Sequence, residues 1–108
     1  MAHHKAYLFD IEERTIAAYC KALAHPARAR ILRCIKENRI VPFEQITREV
    51  PLAVATIQEH LLRLQLVQLI EVMGDGSGKV IGYKLNELVY EEMQFAFETL
   101  LSEGGVNS

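Results

Sequence analysis

The chain has 108 residues, 50% of them apolar and 24% charged, and a formal net charge of −2. That length fits a single domain spanning residues 1–108, with a core of modest size that dimerisation would enlarge. No apolar run reaches the roughly 18 residues of a membrane span, and Asp10, Glu12 and Glu13 interrupt any early signal-peptide core, so a cytoplasmic protein is expected.

Residues from about Phe9 to Ala24 are predicted as a first helix, with Ile16, Tyr19 and Leu23 on one face. His25-Pro26 breaks it, and Pro26 suits the first turn of a second helix running to about Glu37. Ala27, Ile31, Leu32, Cys34 and Ile35 give that helix a broad apolar side, and Asn38 is a plausible stop. Arg39-Ile40-Val41 is short and β-prone. Pro42 opens a third helix through Val50, with Phe43, Ile46 and Val50 inward, and Pro51 punctuates again. A fourth helix is predicted over roughly Leu52 to Gln65, with Ile57, Leu61 and Leu64 on one face. Two short helices separated by a tight break, over 43–65, form a helix-turn-helix pattern.

Two β-like runs follow, Val67–Met73 and Lys79–Leu85, separated by Gly74, Asp75, Gly76, Ser77 and Gly78. They predict a hairpin over 67–85, which after a helix-turn-helix is a wing. Asn86 is a good N-cap for a last helix over 86–103, ending before Gly104-Gly105, with Glu87 and Glu91 near its start. The order is helix, helix, a possible short strand, helix, helix, strand, strand, helix. The fold class expected is therefore mainly α with a small β-hairpin (α+β), a winged helix-turn-helix.

Leu88, Val89, Tyr90, Met93, Phe95, Ala96, Phe97, Leu100 and Leu101 go most of the way round the last helix. A helix apolar on two sides is buried on two sides, and in a short chain the second side points to another subunit. The helices over 9–24 and 86–103 are proposed for a homodimer interface, with Ile16, Tyr19, Leu88, Met93, Phe97 and Leu100 as its candidates.

The charge is segregated. Residues 26–50 carry net +3 and residues 86–108 net −5, with no Lys or Arg in the latter. If the last helix lies away from a partner surface, the overall sign does not oppose nucleic acid.

The stretch from Lys21 through Leu32, with His25-Pro26 ahead of Arg28 and Ile31-Leu32, resembles the opening signature of ArsR-type transcription regulators. Thr56, Ile57, Gln58, His60, Leu61 and Leu64 hold the places of that family's recognition-helix pattern, and Gly82-Tyr83-Lys84-Leu85 resembles its wing exit. The resemblance covers roughly Lys21 to Asn86. It implies a bacterial homodimer whose recognition helices enter successive major grooves of duplex DNA at an inverted repeat, with wings on the flanking backbone. Repression is the family's usual mode.

Two departures stand out. Metal-sensing members carry a Cys-x-Cys pair at positions that here are Val41 and Phe43, and the last helix lacks the His of another family metal site. No metal and no cofactor is expected. Control is left to an unidentified small-molecule effector, to thiol oxidation or to protein level. Cys20 and Cys34 fall among apolar helix positions and are expected to pack as small hydrophobes; a site with His25 is the less favoured reading. The second departure is Ala53, at a position usually held by a serine cap.

The DNA-binding candidates are Val54, Ala55, Thr56, Gln58, Glu59 and Arg63 on the fourth helix, with Arg48, Arg30 and Lys79 outside it. Gln58 suits adenine, Ala55 or Val54 a thymine methyl, and Glu59 the amino group of cytosine, or else Glu59 is a solvated face residue. Arg30, Arg33, Arg48 and Arg63 are candidates for phosphate, and Lys79 for the flanking contact. Arg28 could reach phosphate or make an internal ion pair. His60 more readily packs internally than reads a base. No catalytic residues are legible, and the Gly-rich segment lies in a hairpin rather than opening a helix, so no enzyme is expected. The competing reading is a winged-helix protein–protein interaction module with little or no DNA binding.

Overall fold

A computed structural model describes residues 8–102. His3, His4, Glu103 and Gly104-Gly105 lie outside the described residues, as do the outermost ends expected for the domain and the last helix.

Five helices and two strands follow one another: α1 (Ile11–Ala22), α2 (Pro26–Lys36), α3 (Phe43–Glu49), α4 (Val54–Leu66), β1 (Ile70–Gly74), β2 (Val80–Leu85) and α5 (Glu87–Leu101). The start of α1 is set by a capping box. The Asp10 carboxylate accepts from the Glu13 amide at 2.8 Å, and the Asp10 amide donates to the Glu13 carboxylate at 3.1 Å. This displaces the helix start from the expected Phe9 to Ile11. In α2, Pro26 supplies the first turn, and His25 caps it by accepting the Ala27 amide on Nδ1 at 3.0 Å. Asn38 ends α2 as expected, its side-chain amide donating to the Cys34 carbonyl at 2.7 Å.

One run of residues forms helix end where strand was expected. Val67, Gln68 and Leu69 close α4 rather than open β1. The Gln68 amide donates to Gln65 O and the Leu69 amide to Leu64 O, with Gln68 at φ 63°. This pairing of bonds closes a helix through one left-handed residue. It turns the chain so that Leu69 and Ile70 enter the core. The β-prone Arg39-Ile40-Val41 contributes only a single bridge, Val41 with Tyr83, to the hairpin.

The hairpin is antiparallel, pairing Ile70 with Leu85 and Met73 with Gly82, and its register shifts after Met73. Its tip is tied by Asp75, whose carboxylate accepts from the Ser77 amide at 2.8 Å and the Ser77 hydroxyl at 2.6 Å. Those two bonds hold the Asp75 carboxyl below its ordinary range.

The core lies where α2, α3, α4 and the hairpin meet. Ile31 and Ile35 of α2, Ile46 of α3 and Ile57, Leu61 and Leu64 of α4 are fully buried, together with Val41, Val50 and Leu69. These are the inward positions that helical periodicity selects. Cys34 joins them, whereas Cys20 is exposed on α1, contrary to the packing expected for it. Burial, followed by the neighbouring Glu49 carboxylate, pushes the Cys34 thiol up to about 11. α1 packs on α5, and Tyr19 of α1 and Met93 of α5 belong to the same core. No described helix is long and apolar enough to cross a membrane.

Candidate nucleic-acid interface

The second helix of the helix-turn-helix, α4, buries Ile57, His60, Leu61 and Leu64. At 100° per residue these four positions define its inward side. The outward side then carries Ala55, Gln58, Glu59, Leu62, Arg63 and Leu66, all exposed, with Val54 and Thr56 exposed at its margins. All six residues singled out on this helix are thus open to solvent. Glu59 and Arg63 form an ion pair of 2.9 Å, each side chain about half exposed (52% and 51%). The carboxylate on the outward face is therefore paired within the helix itself. Leu62 and Leu66 were not anticipated as surface residues. The only signal was their place one and two positions outside the inward stripe.

The start of α4 has no side-chain cap, because Ala53 occupies the N-cap position. A serine, threonine or aspartate there would satisfy one of the free amides and contribute about 1 kcal/mol. Val54, Ala55 and Thr56 are exposed at that end, and free amides at the positive end of a helix dipole favour a phosphate group.

Four candidate cations outside α4 divide into two groups. Arg48 and Lys79 are exposed, Arg48 at the end of α3 and Lys79 at the base of the hairpin tip. Arg30 is exposed but donates to the Glu49 carbonyl at 3.3 Å, tying α2 to the end of α3. Arg28, by contrast, is engaged internally through hydrogen bonds rather than an ion pair. Its Nε donates to His60 Nδ1 at 3.0 Å, and its Nη1 to the carbonyls of Lys21 at 3.3 Å and Ala22 at 3.1 Å.

His60 itself is buried, with its ring centroid 4.4 Å from that of His25. An imidazole that accepts at Nδ1 is neutral with its proton on Nε2. Burial, then His25 and Arg28, hold its basicity below the ordinary histidine value. The buried Nε2 has no hydrogen-bond partner among the described residues, a cost of about 1–3 kcal/mol that the rest of the packing must offset.

Val41 and Phe43 stand where the resemblance read from the sequence would put metal-binding cysteines. Val41 is fully buried and hydrogen-bonded through its backbone to Tyr83, and Phe43 packs against the core. Neither side chain has a lone pair to give. A cavity of about 550 Å³ lies at the junction of α1, α2 and α4, with Lys21, Arg28 and Arg63 around Ala22 and Leu66.

The proposed dimer residues fall into two sets. Tyr19 and Met93 are buried within the subunit, and Ile16 and Phe97 are half-buried, Phe97 against the core. Leu88 and Leu100 are exposed, and Phe95 and Leu101 are exposed beside them on α5 at 70% and 77%.

No protein-family model matches the sequence, and no curated protein matches it in sequence comparison. Among solved structures, an ArsR-like transcriptional regulator from Rhodococcus sp. RHA1 superimposes with a TM-score of 0.67. The match covers 82% of this chain and 80% of that one at 20% identity. The chain has that regulator's fold, a winged helix-turn-helix.

Proposed function

We propose that the protein is a sequence-specific, DNA-binding transcription regulator of the ArsR type, acting as a homodimer on an inverted repeat and repressing transcription. The observation that carries this reading is the form of α4. It is the second helix of a helix-turn-helix, uncapped at its N-terminus, with Ala55, Gln58 and Glu59 outward and a wing following it. The likeness in fold to a transcription regulator supports it. In this reading Gln58 and its neighbours read bases, while Arg48 and Lys79 contact phosphates and Arg63 is held back by its ion pair with Glu59. The exposed leucines and Phe95 of α5 pair the subunits.

The test is binding to labelled DNA from the protein's own promoter, against scrambled DNA, at several salt concentrations. A clear sequence preference and an affinity that falls steeply with salt are expected. Gln58→Ala should relax the preference, and Lys79→Ala should weaken binding evenly across sequences.

Leu62 and Leu66, 45% and 64% exposed on the outward side of α4, favour a second reading, in which this face binds a protein. Equal, weak binding to all DNAs in a genome-wide selection would favour it over the first.

A further inference from the structure

We propose that Arg28 is a positioning residue for the reading helix: through His60 it ties α4 to the end of α1, and so holds the recognition helix in place relative to the helices that carry the dimer contacts. The proposal rests on the regulator reading above and adds to it a polar tie between α4 and α1 beside the shared apolar core.

Three elements meet at this guanidinium. Arg28 stands in the first turn of α2, immediately after the His25 cap and Pro26. In one direction its Nε reaches the middle of α4, at His60 Nδ1. In the other its Nη1 reaches the carbonyls of Lys21 and Ala22 in the last turn of α1. Those carbonyls lie at the negative end of the α1 dipole, where a cation is stabilising. The planar fork of arginine lets one side chain serve both ends at once. Lysine, a single point charge, would have to release one of them.

The geometry at His60 supports the same role. His60 sits on the inward side of α4 directly after Glu59, so a change in its packing moves a neighbour that faces outward. Its ring lies against His25, which caps α2 with its own Nδ1. Helix start, reading helix and helix end are therefore joined by one chain of hydrogen bonds and one ring contact. α1 in turn packs on α5, whose exposed apolar side chains are the proposed contact with the second subunit. A small rotation of α4 about this tie would alter the separation of the two reading helices of the dimer, and with it the half-site spacing the protein accepts.

A phosphate contact by Arg28 is the competing role, and salt dependence separates the two. The experiment uses the full chain and its selected operator, with half-site spacings altered by one base pair in each direction. The variants are Arg28→Lys, His60→Phe, their combination, and His60→Asn, whose side-chain oxygen can replace Nδ1 as acceptor. Arg28→Lys and His60→Phe are each expected to lower operator affinity by about tenfold with the salt slope unchanged, and to flatten the preference among spacings. The double variant should be no worse than either single one, and His60→Asn should stay within about threefold of the parent. A further variant, Arg28→Gln, removes the charge that lysine keeps; a salt slope reduced by about one in it would make Arg28 a phosphate contact and overturn the proposal. Losses that multiply in the double variant would overturn it equally.

Amide hydrogen exchange tests the tie without DNA. Arg28→Lys and His60→Phe should both speed exchange at Leu23 and Ala24, at the end of α1. Unchanged exchange there in Arg28→Lys overturns the tie, even if His60→Phe does not fold. Faster exchange in a protein without DNA preference would retire the regulator reading and sustain the tie.

Discussion

Glu59 and Arg63 stand one turn apart on the outward side of α4 and join carboxylate to guanidinium at 2.9 Å. The acid that would repel phosphate and the base that would bind it thus occupy one another. Glu59→Gln should release Arg63. Such a half-exposed pair is worth about 0.3–0.5 kcal/mol, so the melting temperature should hardly move. DNA affinity at low salt should rise about threefold or more, with a salt slope steeper by about one. Titration of the variant at three salt concentrations checks this. A fall in affinity with relaxed choice at one base pair would instead place Glu59 on a cytosine.

The apolar side chains of α5 separate by where they are buried. Phe95 is 70% exposed, while Met93, two residues earlier, is buried in the subunit. Phe95→Glu should leave the subunit folded and convert dimer to monomer by sedimentation, with at least about a tenfold loss of affinity for the inverted repeat. Met93→Ala should do the reverse, lowering subunit stability by about 2–4 kcal/mol in chemical denaturation. A Phe95→Glu protein that remained a dimer would move the interface elsewhere.

Gly82 lies where the backbone at Val41 crosses the wing. A Cβ there would stand 2.8 Å from the Val41 carbonyl oxygen and 2.8 Å from the Ile40 side chain. The Ile40 methyl can swing away, but the carbonyl is held, since Val41 exchanges two backbone bonds with Tyr83. Gly82→Ala should therefore cost about 1–3 kcal/mol and loosen the Val41–Tyr83 bridge, read as faster exchange of the Val41 and Tyr83 amides. An unchanged melting temperature would show that this bridge can shift without cost.

Two buried groups bound the range of greatest stability. His60 is held neutral, with its folded pKa below 6.5. The unfolded chain then takes up the proton first, so the stabilisation is complete above 6.5 and declines as pH falls toward the folded value. Protonation also places an Nδ1–H opposite the Arg28 guanidinium; His25 adds to the repulsion and Glu59 opposes it. Cys34 works from the other side. Its thiol is raised from 9.0 to about 11, so stability is complete below 9.0 and is lost as pH rises toward 11. Denaturation midpoints measured from pH 5 to 10.5 should show a plateau between these limits. His60→Asn should remove the acid decline, and Cys34→Ala the alkaline one, on a lower plateau.

Periodicity and punctuation in the sequence by themselves determined the five helices, the hairpin, the inward row Ile57, Leu61 and Leu64, and the outward row from Val54 to Arg63. The physical reason is locality: a 3.6-residue repeat, a proline or a glycine-rich turn acts within a few residues of itself. Even locally some signals were ambiguous. Val67 and Leu69 suit a strand, yet they end a helix, because Gln68 takes a left-handed conformation that glycine or asparagine more often marks. What only the tertiary structure decided was the use of groups that several elements share. Arg28 and His60 are 32 positions apart, and nothing in either neighbourhood says that one accepts a hydrogen bond from the other. The division of the α5 side chains between core and surface was equally hidden, because an all-round apolar helix does not say which side its own subunit covers. That choice follows from where α1 and the core come to rest against it, and packing of distant segments carries no signature in either one alone.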